Sequence, residues 1–162
     1  MKKISFDFEN VGGLIEMYAI PKASFRKIGH NYAKGTRYVY LRNRENIIVI
    51  PMFADDTFQF TELKDEADDG TFYDVHISGI IPKIAADNEQ LVETLERGEW
   101  TVLFRDNNGV IHFSGSDEVP LRFNTQKDTG NTFASRNGIG FEFAGKQPEP
   151  SIIVDAATLS EV

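Results

Sequence analysis

The chain has 162 residues, about the length of one domain, and 41% of them are hydrophobic, which is enough for one sizeable core. Its 25 acidic and 17 basic residues give a net charge of -8, which repels a phosphate backbone and argues against nucleic acid as the main partner. It contains no cysteine, which excludes disulfides, thiolate metal sites and cysteine nucleophiles. No signal-type apolar run follows Met1, and the longest apolar stretch is too short to span a bilayer. We therefore expect a protein that is neither exported nor inserted in a membrane.

Two-residue alternation of apolar and polar side chains opens the chain. It predicts a strand over residues 4–9 and, after a glycine turn, a second strand over residues 14–20 that ends at Pro21. Residues 22–35 have no sustained period, so they are predicted to form a loop, with one helical turn at about residues 24–27.

Two further strand pairs follow. Residues 36–41 and 47–52 are rich in aromatic and β-branched side chains and flank a short polar link, so we expect them to pair as antiparallel neighbours. Residues 57–64 and 72–81 form the next pair, joined by the acidic segment 65–70, whose charges favour water. This pair predicts a long hairpin with an acidic tip.

One helix is well specified, over about Asn88 to Arg97. Asp87 is placed as its N-cap, with Gln90 three residues later in a capping-box arrangement. Leu91 and Leu95 form an apolar pair one turn apart that needs a surface to pack against. The helix is expected to flank a sheet.

The second half of the chain returns to strand patterns. Its elements are a strand at 100–105, a turn at 106–109, a strand at 110–113, strands at 121–125 and 139–144, and a long polar loop at 126–137. The fold class predicted from the whole pattern is mainly β, an antiparallel β-sandwich or barrel with one flanking α-helix. Residues 1–162 are expected to form a single domain, whose C-terminal tail after about residue 150 could be mobile.

Motifs for catalysis or cofactor binding fail on inspection. Gly140 to Gln147 nearly matches a phosphate-binding loop, but Gln147 replaces the required hydroxyl and the segment alternates like a strand. A calcium loop beginning at Asp65 would have alanine at its third, ligating position. None of His30, His76 and His112 has a partner at the spacing of a helical zinc motif. We therefore predict no catalytic, cofactor or metal site, and a protein that is not an enzyme.

Charge is distributed unevenly along the chain. Pro21 to Arg44 contains seven basic residues and no acid, a charge of +7, whereas Glu45 to Glu99 contains 14 acids and three bases, a charge of -11. The two segments could complement each other inside a monomer, or join copies head to tail. A nucleic-acid patch with stacking tyrosines is a third interpretation, which the overall charge disfavours. The residues assigned to a candidate assembly surface are Arg37, Arg42, Arg44, Asp65, Asp68 and Asp69.

The order of elements in the second half resembles that of a known group of proteins. The resemblance rests on the helix with Leu91 and Leu95, the segment Trp100 to Gly109, Pro120-Leu121-Arg122-Phe123, Thr129-Gly130 and Asn137 to Phe143. These features resemble small structural, tail-like or tube-like proteins of prophage-type elements in Bacteroides-like bacteria, and more distantly the tube and tail proteins of tailed phages. The resemblance covers about residues 85–148, with weaker similarity over residues 37–81.

The more distant resemblance, to the tail-tube family, implies a β-sandwich or barrel with one flanking helix, hexameric rings that stack into a tube, and no catalysis. We therefore expect a non-catalytic phage or prophage structural subunit that self-associates and contacts other phage structural proteins. Such a subunit would be cytoplasmic during assembly and then associated with the virion. The alternative is a monomeric β-sandwich module that binds a peptide or a carbohydrate.

Overall fold

A computed structural model describes residues 11–51, 58–67, 70–129 and 137–161 of the chain. The fold is mainly β, with 58% strand, three antiparallel sheets and one helix, α1, at Ala86–Glu96. The strands are β1 Leu14–Pro21, β2 Phe25–Asn31, β3 Thr36–Leu41, β4 Ile48–Val49, β5 Gln59–Ala67, β6 Gly70–Pro82, β7 Trp100–Asp106, β8 Ile111–Ser114, β9 Arg122–Asp128, β10 Gly138–Gln147 and β11 Ile152–Val154. Short 3-10 segments lie at Lys22–Ser24 and Ala156–Glu161.

A five-stranded sheet forms the middle of the molecule, in the order β11-β8-β7-β1-β4. Its central strand β7 is buried at five consecutive positions, from Trp100 to Phe104. A strand that faces water on one side would alternate between buried and exposed residues, so this run indicates that the middle sheet is covered on both faces.

Neighbouring residues of β7 belong to two different cores. Phe104 packs with residues of a four-stranded sheet, ordered β5-β6-β10-β9, and its ring lies 4.9 Å from that of Phe60 on β5. Leu103 packs on the opposite side, in a core shared with the two-stranded sheet of β2 and β3. Phe25 of β2 and Phe113 of β8 stack at 5.5 Å in that second core. The fold is therefore a β-sandwich with a third, two-stranded layer.

The sandwich prediction is confirmed, with the single helix flanking it; among the described residues, no sheet closes into a barrel. Val92 and Leu95 are buried in the core between the two larger sheets. The indole Nε1 of Trp100 donates a hydrogen bond to the carbonyl oxygen of Leu95 at 2.8 Å, which fixes the end of the helix to the start of β7.

The predicted start of the helix is wrong. The N-cap is Ala85, with no side-chain capping bond, and Asp87 lies inside the first turn, where its charge still suits the helix dipole. The Asn88 side chain instead donates to the carbonyl oxygens of Pro82 and Lys83, at 2.7 and 2.9 Å. These bonds tie the helix to the end of β6, so it begins two residues earlier than predicted.

Two hairpins agree with the sequence. β5 and β6 pair from Gln59 opposite Ser78 to Ala67 opposite Gly70, which is the predicted long hairpin. β7 and β8 are joined at the predicted turn, where the Asp106 carboxylate accepts bonds from two backbone amides further along the turn.

Two predictions in the first third of the chain are wrong. Residues 22–35 are not a loop with a helical turn at 24–27: a 3-10 turn precedes β2, which pairs with β3. Residues 36–41 and 47–52 are therefore not neighbours, because β3 is taken by β2 while β4 pairs with β1. β2 and β3 are joined by a turn in which the Asn31 carboxamide oxygen accepts hydrogen bonds from the backbone amides of Ala33 and Lys34.

Other predictions fall partly or wholly outside the described residues. The predicted strand at 4–9 does so, as do Asp68, Asp69 and most of the loop at 126–137. β9 extends to Asp128, so part of that predicted loop is strand. Beyond residue 150, where we predicted a tail, β11 pairs with β8.

Candidate assembly surfaces

Basic residues collect on the two-stranded layer. We call residues 25–41, which comprise β2, its turn and β3, the basic ribbon. Arg26, Lys27, Lys34 and Arg37 are exposed there, and the segment contains no carboxylate. Because the ribbon covers one face of the middle sheet, this charge lies on one side of the molecule.

The three arginines assigned to the assembly surface are exposed but do not form one cluster. Arg37 lies on β3, and Arg42 and Arg44 follow the end of that strand. Five residues of extended chain span about 16 Å, so Arg37 and Arg42 sit at opposite ends of the ribbon. The Arg42 guanidinium lies 3.6 Å from the Asp117 carboxylate, with both side chains largely exposed. The arrangement is a basic stripe.

Acidic residues collect on the other side of the middle sheet. The end of the β5–β6 hairpin carries Asp65 and Glu66, both exposed, and extends past the last pair of β6 with β10, which is Tyr73 with Gln147. The helix α1 adds four carboxylates and no base. The hairpin end and α1 lie at opposite ends of β6, about 40 Å apart, so they are two acidic patches on the same side of the middle sheet; together we call them the acidic side.

The middle sheet separates these two charged regions within the molecule. The basic ribbon belongs to one core and the acidic side to the other, on opposite faces of β1 and β7. One ion pair, between Lys22 and Glu99, does join the basic and acidic segments, and its hydrogen bond lowers the pKa of Glu99. Lys127 pairs with Glu89 of α1 at 2.7 Å. Ion pairs thus neutralise part of the charge, but its distribution over the molecule remains asymmetric.

Exposed apolar side chains lie on the edge strands. Val49 on β4, Leu63 on β5 and Ile153 on β11 are each more than 60% exposed, and among the described strands each of these is the last in its sheet. Tyr32, at the turn of the basic ribbon, is 92% exposed. Unpaired strand edges with apolar side chains are surfaces that other chains can cover.

A histidine with two carboxylate neighbours lies on the outer face of the four-stranded sheet. His76 Nδ1 is 2.8 Å from Glu142, and His76 Nε2 is 3.4 Å from Asp74. The hydrogen bond to Glu142 raises the pKa of His76 above its usual range, and the nearby charges act in the same direction. The carboxylates contact different ring nitrogens, which suits a protonated ring. No group of three or more His, Asp or Glu side chains in the described part of the chain is arranged to hold a metal ion.

A concave site of about 260 Å³ lies where β8, β10 and β11 meet. Ile28, 38% exposed, contributes apolar surface, the buried Phe113 and Ile152 lie behind the wall, and the hydroxyls of Ser114 and Ser151 are hydrogen-bonded to each other at 3.0 Å. Gln147 also lines the site; it is 5% exposed, and its Nε2 has no hydrogen-bond partner among the described residues. We call this site the Gln147 pocket.

Sequence reasoning missed the Gln147 pocket, although one signal for it was present. The alternation along β10 that places Phe141 and Phe143 in the core also places Gly145 and Gln147 on the inward face of the strand. A polar residue at an inward position calls for a partner or a ligand.

Gly140 to Gln147, the near match to a phosphate-binding loop, lies within β10, as the strand interpretation requires. Of the helices described, none has the length and apolar character needed to cross a membrane. Comparison of the chain with protein-family models, with curated proteins and with solved structures finds no match.

Proposed function

We propose that this protein is a non-catalytic structural subunit of a phage or prophage particle that self-associates head to tail into a ring or tube. The observation that carries the proposal is the separation of charge: the basic ribbon and the acidic side lie on opposite faces of the middle sheet. Unlike faces that meet head to tail generate closed rings or helical assemblies.

Charge alone would give a weak contact, because exposed ion pairs contribute little and are screened by salt. The apolar side chains on the sheet edges, Val49, Leu63 and Ile153, supply surface that association would remove from water. In this proposal the edges provide affinity, and the charges set register and encounter rate. Other structural proteins of the particle would be the further partners, met first in the cytoplasm and then in the virion.

The alternative is a monomeric β-sandwich module that binds a peptide or a carbohydrate. A sugar site needs exposed aromatic rings on which the sugar can stack; in the Gln147 pocket Phe113 is 1% exposed, and the exposed rings of Tyr32 and Tyr40 lie on the basic ribbon instead. At about 260 Å³ this pocket is also small for a typical ligand cleft of about 300–1,000 Å³, although two other concave sites, of about 380 and 360 Å³, lie within that range. The Gln147 pocket therefore gives the alternative no support.

The test is light scattering of the purified protein at high concentration, in low salt and again in 0.5 M NaCl. Wild-type protein should form a defined oligomer that weakens with salt without dissociating completely, since screening over about 10 Å in 0.1 M salt removes only the longer-range terms. Replacing Arg37, Arg42 and Arg44 together by Glu should impair association, because it reverses the stripe, while monomer stability changes little at these exposed positions.

The matched control replaces the same three arginines by Lys, which keeps the charge. Retained association in the Lys variant and loss in the Glu variant would support the proposal. A wild-type protein that stays monomeric at low salt would overturn self-association. Electron microscopy of the oligomer tests for rings or tubes, and neighbouring genes for capsid, portal or tape-measure proteins would test the phage assignment.

A further inference from the structure

The strand β5 is the last of the four-stranded sheet among the described residues, and it is bonded on one side only. All of Gln59–Ala67 pairs with β6, and no described backbone group bonds to the other side of the strand. At the opposite end of the sheet the helix α1 lies against β9, where Lys127 pairs with Glu89 at 2.7 Å. The two ends of the sheet therefore differ, and the β5 end offers an edge to which a further strand can bond.

Alternate residues of β5 point their backbone groups toward this edge. The Glu66 amide donates a hydrogen bond to the Asp65 carboxylate at 2.8 Å, which places it outside the ladder with β6. In an antiparallel ladder, residues that bond to the neighbouring strand alternate with residues that face away from it. The amides and carbonyls of Phe60, Glu62 and Lys64 therefore also face the open edge, where they can bond to a further strand.

The side chains of this edge are complementary to those of an identical strand that runs in the opposite direction. Leu63 is 67% exposed on the outer face, whereas Glu62 and Lys64 lie on the other face, the one from which Phe60 packs against the core. In an identical strand centred on Leu63, the two leucines would lie opposite each other. Each Glu62 would then lie opposite the Lys64 of the other copy, and opposite charges directly across an antiparallel pair stabilise it.

We propose that β5 pairs with the β5 of a second copy, antiparallel and about a twofold axis through Leu63, so that the four-stranded sheets of two copies join into one continuous sheet. A twofold contact of this kind requires a self-complementary surface, which the edge provides. The contact is additional to the head-to-tail association proposed above and does not depend on it. It assigns the β5 edge to a second interface and leaves Val49 and Ile153 to the first.

Charge disfavours the neighbouring registers. Residues directly opposite each other share a face of the sheet, so the twofold axis must pass through a residue. An axis through Glu62 or Lys64 places like charges opposite each other, and an axis through Asp65 brings two exposed carboxylates together. An axis nearer the start of β5 pairs fewer residues and no opposite charges. The axis through Leu63 instead places the acidic end of each hairpin beside residues 59–61 of the other copy, which are uncharged.

Both charged side chains can make this contact while keeping the partners they have in their own chain. Glu62 accepts a hydrogen bond from the Ser151 amide through Oε2 at 2.7 Å, and a carboxylate has a second oxygen for another donor. Lys64 Nζ lies 3.1 Å from Glu66, and an ammonium group has three protons to donate. The twofold contact therefore adds hydrogen bonds without breaking any of these.

The chain contains no cysteine, so single cysteines test the register directly. The two copies of residue 63 would face each other in a pair without backbone bonds, with Cβ atoms about 4.5–5.5 Å apart. Leu63→Cys should therefore form a disulfide-linked dimer under mild oxidation. Thr61→Cys is the matched control, exposed on the same face of the same strand. Its two copies would lie four residues, about 13 Å, apart along the strands, and should link at least about tenfold more slowly.

Sedimentation velocity of the full chain over a concentration series measures the affinity. Leu63→Arg should raise the dissociation constant of the dimer about a hundredfold, because it removes two leucines from the contact and brings two cations together. Val49→Arg makes the same change at a position 61% exposed on β4 and should leave that dissociation constant unchanged. Urea unfolding of each variant shows whether the monomer is still folded.

A charge swap tests the pairing of Glu62 with Lys64. Lys64→Glu and Glu62→Lys each place like charges across the axis and should raise the dissociation constant about tenfold. When the two variants are mixed, the carboxylates of one face the lysines of the other, so a heterodimer should form about as tightly as the wild-type dimer. A mixture that associates no better than either variant alone would overturn the register, and the Leu63→Cys result does not depend on Glu62.

The outcomes separate this contact from head-to-tail association. Linkage of Leu63→Cys that persists when Arg37, Arg42 and Arg44 are replaced by Glu supports the twofold contact, even if no ring forms. If the protein forms rings while Leu63→Cys links no faster than Thr61→Cys, the twofold contact is wrong and head-to-tail association stands. A protein that is monomeric at every concentration, with no linkage at position 63, overturns both and leaves the β5 edge to another occupant.

Discussion

Adjacent residues on β7 offer a direct test of the three-layer arrangement. Leu103 and Phe104 are both fully buried, yet Leu103 packs toward the basic ribbon and Phe104 toward the four-stranded sheet. We expect Leu103→Ala and Phe104→Ala to weaken different layers, although the two positions are consecutive in the chain.

The size of each effect follows from the atoms removed. Leu→Ala deletes about three carbon groups at about 0.8 kcal/mol each, and the cavity that remains adds to this, so Leu103→Ala should cost about 3 kcal/mol of unfolding free energy. Phe104→Ala removes a ring and should cost about 4 kcal/mol. Val49→Ala, at a position 61% exposed on an edge strand, should change stability by less than about 0.5 kcal/mol and serves as the control.

Urea unfolding measures the total loss of unfolding free energy in each variant, and amide hydrogen exchange shows which strands lose protection. Since a two-stranded ribbon is at best marginally stable alone, Leu103→Ala should accelerate exchange in β2 and β3 more than in β5 and β6. Phe104→Ala should show the opposite order. Equal acceleration in both layers for both variants would refute the assignment of the two faces of β7.

Three further predictions concern single side chains. His76 should titrate above pH 6.5 by NMR, and its pKa should return toward the usual value in Glu142→Gln. Because the pKa of His76 is raised in the folded protein, the contribution of His76 to stability is complete below about pH 6.5 and is lost as the pH rises through the folded pKa. Burial, aided by a hydrogen bond to a nearby carboxylate, raises the pKa of Tyr18 to about 12, so the last step of a spectrophotometric tyrosine titration should disappear in Tyr18→Phe. Trp100→Phe removes the indole donor to the Leu95 carbonyl, which still accepts from the Gly98 amide at 3.2 Å, so the lost hydrogen bond should cost about 1 kcal/mol in urea unfolding followed by circular dichroism.

The parts of the fold that the sequence could predict are those whose partners are close along the chain. The β5–β6 and β7–β8 hairpins depend on strand patterns on either side of a short polar link, and Asp106 with Gly109 specifies the second turn. The helix depends on one apolar face, of which Leu95 is fully buried. Local chemistry is enough for such elements.

Pairing over long distances could not be read in the same way. Nothing in the pattern of β3 or β4 says which neighbour each prefers, and both were assigned to each other because they are adjacent in sequence. β2 was missed because its polar and basic residues face water over most of its length, which leaves little alternation to detect. Tertiary packing decides such strands.

The candidate surfaces were likewise predictable only in the features that depend on local sequence. Charge counts over long segments indicated a basic and an acidic region, but the position of each region relative to the middle sheet depends on layer order, which no local pattern encodes. The Gln147 pocket joins residues of β8, β10 and β11, and only the inward position of Gln147 in β10 hinted at it.

The pairing of β1 with β7 joins two strands that the ribosome synthesises at widely separated times. Tyr18 lies opposite Leu103, about 85 residues later, so at roughly 5–20 residues per second the first strand waits from roughly 4 to 17 s for its central neighbour to be made. During that interval the side chains of Met17, Ala19 and Ile20, which face the two cores of the folded protein, are not yet covered by another layer. The hairpins synthesised in between can close early, but the middle sheet that they flank forms only when the last third of the chain emerges. Translation speed therefore governs how long the apolar side chains of β1 stay exposed to neighbouring chains.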